Sequence, residues 1–363
     1  MRPWRARFRS LARSANRRVW PQHLLHGPEW VVLGVNNACN LRCRMCDVGT
    51  GEDGSNFHTH MTSTNPPVMP VALAERIVDQ VARHYPSARL GFAFTEPTAW
   101  RPLVDVVRSA SARGVRSAVT TNGLLLPKLA VPLAAAGLDE LVVSIDGPAE
   151  IHDAIRGRDG SFERAIEGVR AALAAPRPPR VSIFAAITEW NIGHLARFAA
   201  SLRDLPLERL GFMHTVFVAP EAAATHNATW GQRYPATPSN TRELRLDHYD
   251  LDELWSEIAV IRALSLPFPV SWSPAIDTRA ELERYYRSPT PFGRRCADAF
   301  SALLVKSDGS VVPAHSRCYP VVVGDLWREE LNAVWNGARL GAFRRDLASV
   351  GVFAGCSRCC SAR

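Results

Sequence analysis

From Glu29 to about Val218, short apolar runs alternate with longer stretches whose apolar residues recur at helical spacing. The runs predict strands at Trp30–Val35, Leu90–Phe94, Ser117–Thr120, Leu141–Ile145, Val181–Ile187 and Leu210–Val218. Between them the spacing predicts helices over Pro70–Tyr85, Leu103–Arg113, Lys128–Ala136, Phe162–Ala174 and His194–Arg203. In the first helix Val71, Leu73, Ile77, Val78 and Val81 keep one apolar face. Parallel strands need crossover connections, so six such repeats predict an α/β fold with a parallel sheet and helices outside. Six strands make a partial (β/α)6 barrel, and functional side chains belong at the C-terminal ends of its strands.

The alternation then stops. Residues 219–246 are rich in Ala, Thr, Asn and Pro and predict an irregular insertion or lid. An amphipathic helix is expected at Leu251–Leu264, followed by a Pro-rich stretch. After Cys296, SALLVKSDGSVVPA predicts a β-hairpin turning at Asp308-Gly309, and the chain finishes on CSRCC before its last three residues. The expected organisation is a basic arm (1–28), a partial barrel (29–218), an insertion with a linker helix (219–295) and a small Cys-dependent domain (296–363).

Composition changes this picture little: 47% apolar and 21% charged residues are ordinary for a globular protein. No apolar run approaches the roughly 20 residues of a membrane span, and the N-terminus lacks a secretory apolar stretch. The expectation is a cytoplasmic protein without a membrane partner. The net charge of +8 comes mostly from Arg2, Arg5, Arg7, Arg9, Arg13, Arg17 and Arg18. That leaves no broad basic surface for nucleic acid, and the arm is expected to be solvated or loosely helical.

The eight cysteines are distributed unevenly: three fall between Cys39 and Cys46, and five from Cys296 onward. Reduced thiols in two groups point to two metal-binding regions rather than a disulfide framework. Cys39, Cys43 and Cys46 follow the first strand as CNLRCRMC. Three thiolates on one loop can ligate three irons of a [4Fe–4S] cluster and leave the fourth for a small chelating molecule. Zinc would seek a fourth local ligand, for which His58 or His60 would serve.

This motif, at this place in a β–α series, resembles the radical S-adenosylmethionine superfamily, and the resemblance extends over nearly all of the chain after residue 29. It implies a [4Fe–4S] cluster on the three cysteines, with S-adenosylmethionine on the open iron and Met45 beside the adenine. Thr95-Glu96-Pro97 resembles the family's Gly-Gly-Glu-Pro turn, which implies that Glu96 holds the methionine amino group; Phe94 and Thr95 replace the two glycines. Ser144-Ile-Asp146-Gly is similar to the ribose-contacting segment. Arg156, in Ile151-His-Asp-Ala-Ile-Arg156, occupies the position of an arginine that pairs with the methionine carboxylate. The same resemblance implies that Ile187 packs on adenine, with a plain core role equally open. Asn122, after the third strand, faces substrate or simply builds an Asn-Gly turn.

Cys296, Cys318, Cys356 and Cys359 resemble the ligand set of a shortened auxiliary-cluster domain (twitch, or SPASM-like), which implies a second [4Fe–4S] cluster; four-thiolate zinc is the alternative. Cys360 is left over, as an alternative ligand or a hydrogen-donating thiol. Radical enzymes with one auxiliary cluster include dehydrogenases of aminocyclitols in antibiotic pathways. The resemblance therefore implies oxidation at a carbinol carbon of a sugar or aminocyclitol, with a flavodoxin or ferredoxin as electron donor. Epimerisation through Cys360 and peptide or protein maturation are the other readings. The second is weakened by having only about 28 residues before the first strand.

Overall fold

A computed structural model describes residues 13–288, 290, 292, 295–313 and 319–361. Its centre is one sheet of ten strands. Six are those the sequence predicts: β1 (Trp30–Leu33), β2 (Arg89–Phe92), β3 (Arg116–Thr121), β4 (Glu140–Ser144), β5 (Arg180–Ile187) and β6 (Arg209–His214). They pair in order and in parallel, through registers such as Val31↔Leu90 and Val143↔Ile183. Mixed α/β architecture with a largely parallel sheet is therefore what the chain adopts. Val32 on β1 and Met213 on β6 line one cavity, so the sheet curls into a partial barrel.

The helices form where apolar spacing allows one face to be buried. Val71–His84 buries Leu73, Ala74, Ile77, Val78 and Val81 against the sheet. Leu126–Ala135 starts with Pro127 in its first turn, where a missing N–H costs nothing.

Two parts of the chain depart from expectation. A seventh parallel strand, β7 (Val270–Ser273), pairs with β6 inside the stretch expected to be only Pro-rich. Residues 220–230 of the expected irregular insertion form a regular helix, Pro220–Trp230, with Pro220 in its first turn. Its buried side chains include Ala222, Ala223 and His226, too small a stripe to announce a helix from hydropathy.

The C-terminal hairpin is present. β8 (Ala302–Val305) and β9 (Ser310–Pro313) are antiparallel, with Gly309 at φ +88° in the turn, where a side chain would be strained. β8 also pairs in parallel with β1 and β10 (Gly324–Asp325) follows β9, so the cysteine-rich region extends the barrel sheet itself.

The described part of the basic arm is helical over residues 13–19, in line with the loosely helical expectation, and it is also tied to the body. Asn16 donates to the Trp20 and His23 carbonyls, Asn336 brackets the Leu24 backbone, and Trp335 donates to the His26 carbonyl. Arg2, Arg5, Arg7 and Arg9 lie outside the described residues. Among the described residues no helix is long and apolar enough to cross a membrane.

Candidate active site

The C-terminal ends of the strands surround a cavity of ≈ 480 Å³. Cys39, Cys43, Met45 and Cys46 line it from the loop after β1. Thr95 and Glu96 reach it from β2, Asn122 from β3, Ser144 and Asp146 from β4, and Arg156 from the helix Ala149–Arg156. Cys356, Cys359 and Cys360 line the same cavity from the chain's end, as do Met213 and His214 at the end of β6 and Thr215 just after it.

Local packing shapes the cysteine loop. A Cβ at Gly49 would lie 2.5 Å from the Cys43 carbonyl, so only glycine lets the chain fold back this closely. Asp47 is buried and accepts from the Asn240 N–H (2.7 Å) and the Ser239 hydroxyl (2.7 Å), tying the loop to the 219–246 segment. Asn122 Nδ2 donates to Asn40 Oδ1 (2.7 Å) and lies 4.0 Å from Cys39 Sγ. Its amide braces the cysteine loop while Asn122 also lines the cavity. Burial pushes the Cys39 thiol up and the Cys43 thiol to about 12, with the Arg156 guanidinium pulling the other way in both. Such thiols ionise when a metal replaces the proton.

Glu96 is fully buried, yet its carboxylate is well supplied with donors. Oε1 accepts from the Thr98 N–H (3.0 Å), the Thr98 hydroxyl (2.5 Å) and the Thr121 hydroxyl (2.7 Å). Oε2 accepts from the Asn122 N–H (2.8 Å) and retains capacity for a further donor. Burial raises the pKa of Glu96, and the same hydrogen bonds oppose the rise. Pro97 is buried and starts a short 3₁₀ turn outside the cavity lining. Phe94 holds φ +88°, so the turn keeps a left-handed conformation that glycine would adopt without strain. The Thr95 hydroxyl bonds Asn36, whose Nδ2 in turn donates to the Glu96 carbonyl (2.9 Å).

Arg156 is buried, with Nε 2.6 Å from Asp146 Oδ2 and Nη1 3.7 Å from Cys43 Sγ. Burial works against its charge, but Asp146 and Cys43 more than compensate and raise its pKa. The other Asp146 oxygen accepts from the Ala186 N–H (2.9 Å). Each oxygen thus accepts one donor from the protein, and Asp146 and Ser144 both line the cavity. Ile187 is completely buried in the core and does not line the cavity.

At the chain's end, burial raises the Cys296 thiol to about 12, with Cys356 and Asp298 adding to the rise. Cys359 is raised by its contact with Cys360 first and by burial second. The Ala297 N–H bonds the Ser361 carbonyl (3.3 Å), which brings Cys296 beside the terminal cysteines; Cys318 lies outside the described residues. Arg358, invisible to motif reading, donates to the carbonyls of Arg284, Tyr285, Ser288 and Thr290 and fixes Cys356–Cys360 against the helix Arg279–Arg287. Its only sequence signal was a charge inside a cysteine cluster. Neither His58 nor His60 lines the cavity; burial beside Lys306 holds His60 neutral, at about 4. Neither histidine is therefore placed to serve the zinc alternative at the three cysteines.

Comparison with known proteins agrees with this arrangement. Residues 34–202 match the Radical SAM superfamily, and residues 296–360 match the SPASM iron–sulfur cluster-binding domain. The chain is 23% identical over 327 residues to the AdoMet-dependent heme synthase of Methanosarcina barkeri, covering 89% of this chain and 86% of that one. It is 34% identical over 143 residues to a probable GTP 3′,8-cyclase of Saccharolobus islandicus, a match spanning 39% of this chain and only 42% of the relative. The fold is that of Streptococcus suis SuiB bound to S-adenosylmethionine (TM-score 0.60, 13% identity, 95% of this chain and 73% of that one). It is likewise that of anSMEcpe with bound AdoMet (TM-score 0.58, 17% identity, 89% and 81%). The first domain implies a [4Fe–4S] cluster with S-adenosylmethionine, and the second implies auxiliary iron–sulfur ligation. The chain is a radical SAM enzyme with a C-terminal SPASM domain.

Proposed function

We propose that this enzyme oxidises a carbinol carbon of a sugar or aminocyclitol-type small molecule to a ketone, with a flavodoxin or ferredoxin as electron donor. The observation that carries this reading is the shared cavity: Cys39, Cys43 and Cys46 line it from one end of the chain and Cys356 and Cys359 from the other. A substrate held there touches both regions.

The residues fit the cofactors the domains imply. Cys39, Cys43 and Cys46 would hold the [4Fe–4S] cluster, and Cys296, Cys318, Cys356 and Cys359 a second one. Glu96 Oε2, with acceptor capacity to spare, would take the methionine ammonium. Arg156, its Nε held by Asp146, would offer its remaining N–H groups to the carboxylate. Met45 would pack on adenine, and Ser144 would meet the ribose. When bound, the first cluster supplies the electron that cleaves S-adenosylmethionine to a carbon radical able to take hydrogen from an unactivated C–H bond. The protein's own task is to hold the carbinol C–H against that reagent and keep water out. Loss of the hydrogen atom, then of the hydroxyl proton and one electron, would leave a C=O; Cys296, Cys318, Cys356 and Cys359 would hold the group that accepts that electron.

A second reading, epimerisation, is favoured by Cys360, whose side chain shares the cavity. Anaerobic reaction with candidate polyols in deuterated buffer separates the two. The expected result is ketone in step with 5′-deoxyadenosine and no solvent deuterium at the carbinol carbon. An inverted, deuterated alcohol that disappears in Cys360→Ser would replace the dehydrogenase reading with the epimerase one.

A further inference from the structure

We propose that Tyr319 tunes the C-terminal iron–sulfur site by donating its hydroxyl proton to the sulfur of Cys356. The inference rests on the reading of Cys356 as a cluster ligand. Tyr319 is 2% exposed, and its Oη lies 3.1 Å from Cys356 Sγ. The ring is held from several sides: it lies flat on His226 (centroids 4.7 Å, 13°) and meets Phe353 edge-on (5.7 Å, 83°). A Cβ at Gly355, the residue before the ligand, would come within 3.2 Å of the same hydroxyl. This contact is built, not incidental.

The direction of the hydrogen bond follows from its neighbours. His226 Nε2 sits 2.7 Å from the Tyr234 carbonyl, so that nitrogen carries the imidazole proton and Nδ1 is an acceptor. Nδ1 lies 3.5 Å from Tyr319 Oη, at the edge of hydrogen-bond range. A ligating thiolate has no proton to give, carries charge and is nearer. The tyrosine proton therefore points at sulfur, and the histidine positions the ring. A donor at a cluster ligand favours the more negative, reduced state and so raises the reduction potential. His226 belongs to the helix Pro220–Trp230, which gives the 219–246 segment a role in the electron-accepting site.

The test uses the Cys39/Cys43/Cys46→Ala protein, reconstituted anaerobically, so that only the C-terminal site titrates. Redox titration followed by electron paramagnetic resonance is expected to show Tyr319→Phe with unchanged iron and sulfide. Its midpoint should be lower by about a tenfold loss of electron affinity, about 59 mV for a one-electron couple. Site-specific 3-fluorotyrosine at 319, a stronger donor of nearly the same shape, should move the midpoint upward. It supplies the answer if the phenylalanine protein does not fold. A midpoint that follows neither substitution overturns the proposal. Absence of any iron–sulfur signal in the background protein instead overturns the ligand reading beneath it.

Discussion

Glu96→Gln is expected to leave a folded protein whose affinity for S-adenosylmethionine is about 10- to 100-fold weaker, as a hydrogen bond to a charged group is worth roughly 1.5–3 kcal/mol. The amide oxygen can replace Oε1 and satisfy the two hydroxyls and the Thr98 N–H. Its NH₂ then faces the Asn122 N–H, where Oε2 had accepted, and no charge remains to meet an ammonium. Glu96→Ala goes further: it orphans two buried N–H groups, each at about 1–3 kcal/mol, so both stability and binding should fall. Equilibrium dialysis of the reconstituted proteins measures the binding. Unchanged affinity in Glu96→Gln would remove the carboxylate from the cofactor site and leave it a brace between the β2 and β3 ends.

Asp146→Ala should have the largest effect on stability, about 3–5 kcal/mol, because it leaves the Arg156 guanidinium buried without its counter-charge. The Ala186 N–H loses its acceptor in the same step. Arg156→Ala should cost a similar amount by stranding the carboxylate. The double substitution should cost clearly less than the two single losses together, since neither charge is then left alone. Urea unfolding of the four metal-free proteins supplies the cycle. Strict additivity would show that the two side chains do not act as a pair.

The sequence made some of this site visible and hid the rest for physical reasons. β1 to β6 were legible because each is a short apolar run bounded by helical spacing, and CNLRCRMC is conspicuous at the end of the first. β7 escaped because Val-Ser-Trp-Ser is half polar and lies between Pro269 and Pro274, which read as loop punctuation. The Pro220–Trp230 helix escaped because alanine and threonine give no amphipathic stripe; it forms against the chain's end, a contact no local pattern encodes. Family resemblance could point to Glu96 and Arg156, but not to the donors that already occupy most of the Glu96 carboxylate or to the Asp146–Arg156 pair. Asp47 and Arg358 were hidden because each acts through backbone or side-chain groups distant in sequence. Asp47 had one faint signal, an acid directly after the third cysteine of a loop.

On the reading proposed above, two separate sets of thiolates hold iron–sulfur clusters on one cavity. Anaerobic iron and sulfide analysis of the wild-type protein beside the Cys39/Cys43/Cys46→Ala variant tests it most directly. The variant is expected to keep about four irons with matching sulfide, as one [4Fe–4S] cluster requires, while the wild type holds about twice as much. A variant that holds no iron, or a single zinc, would contradict it and deprive the proposed dehydrogenation of its electron acceptor.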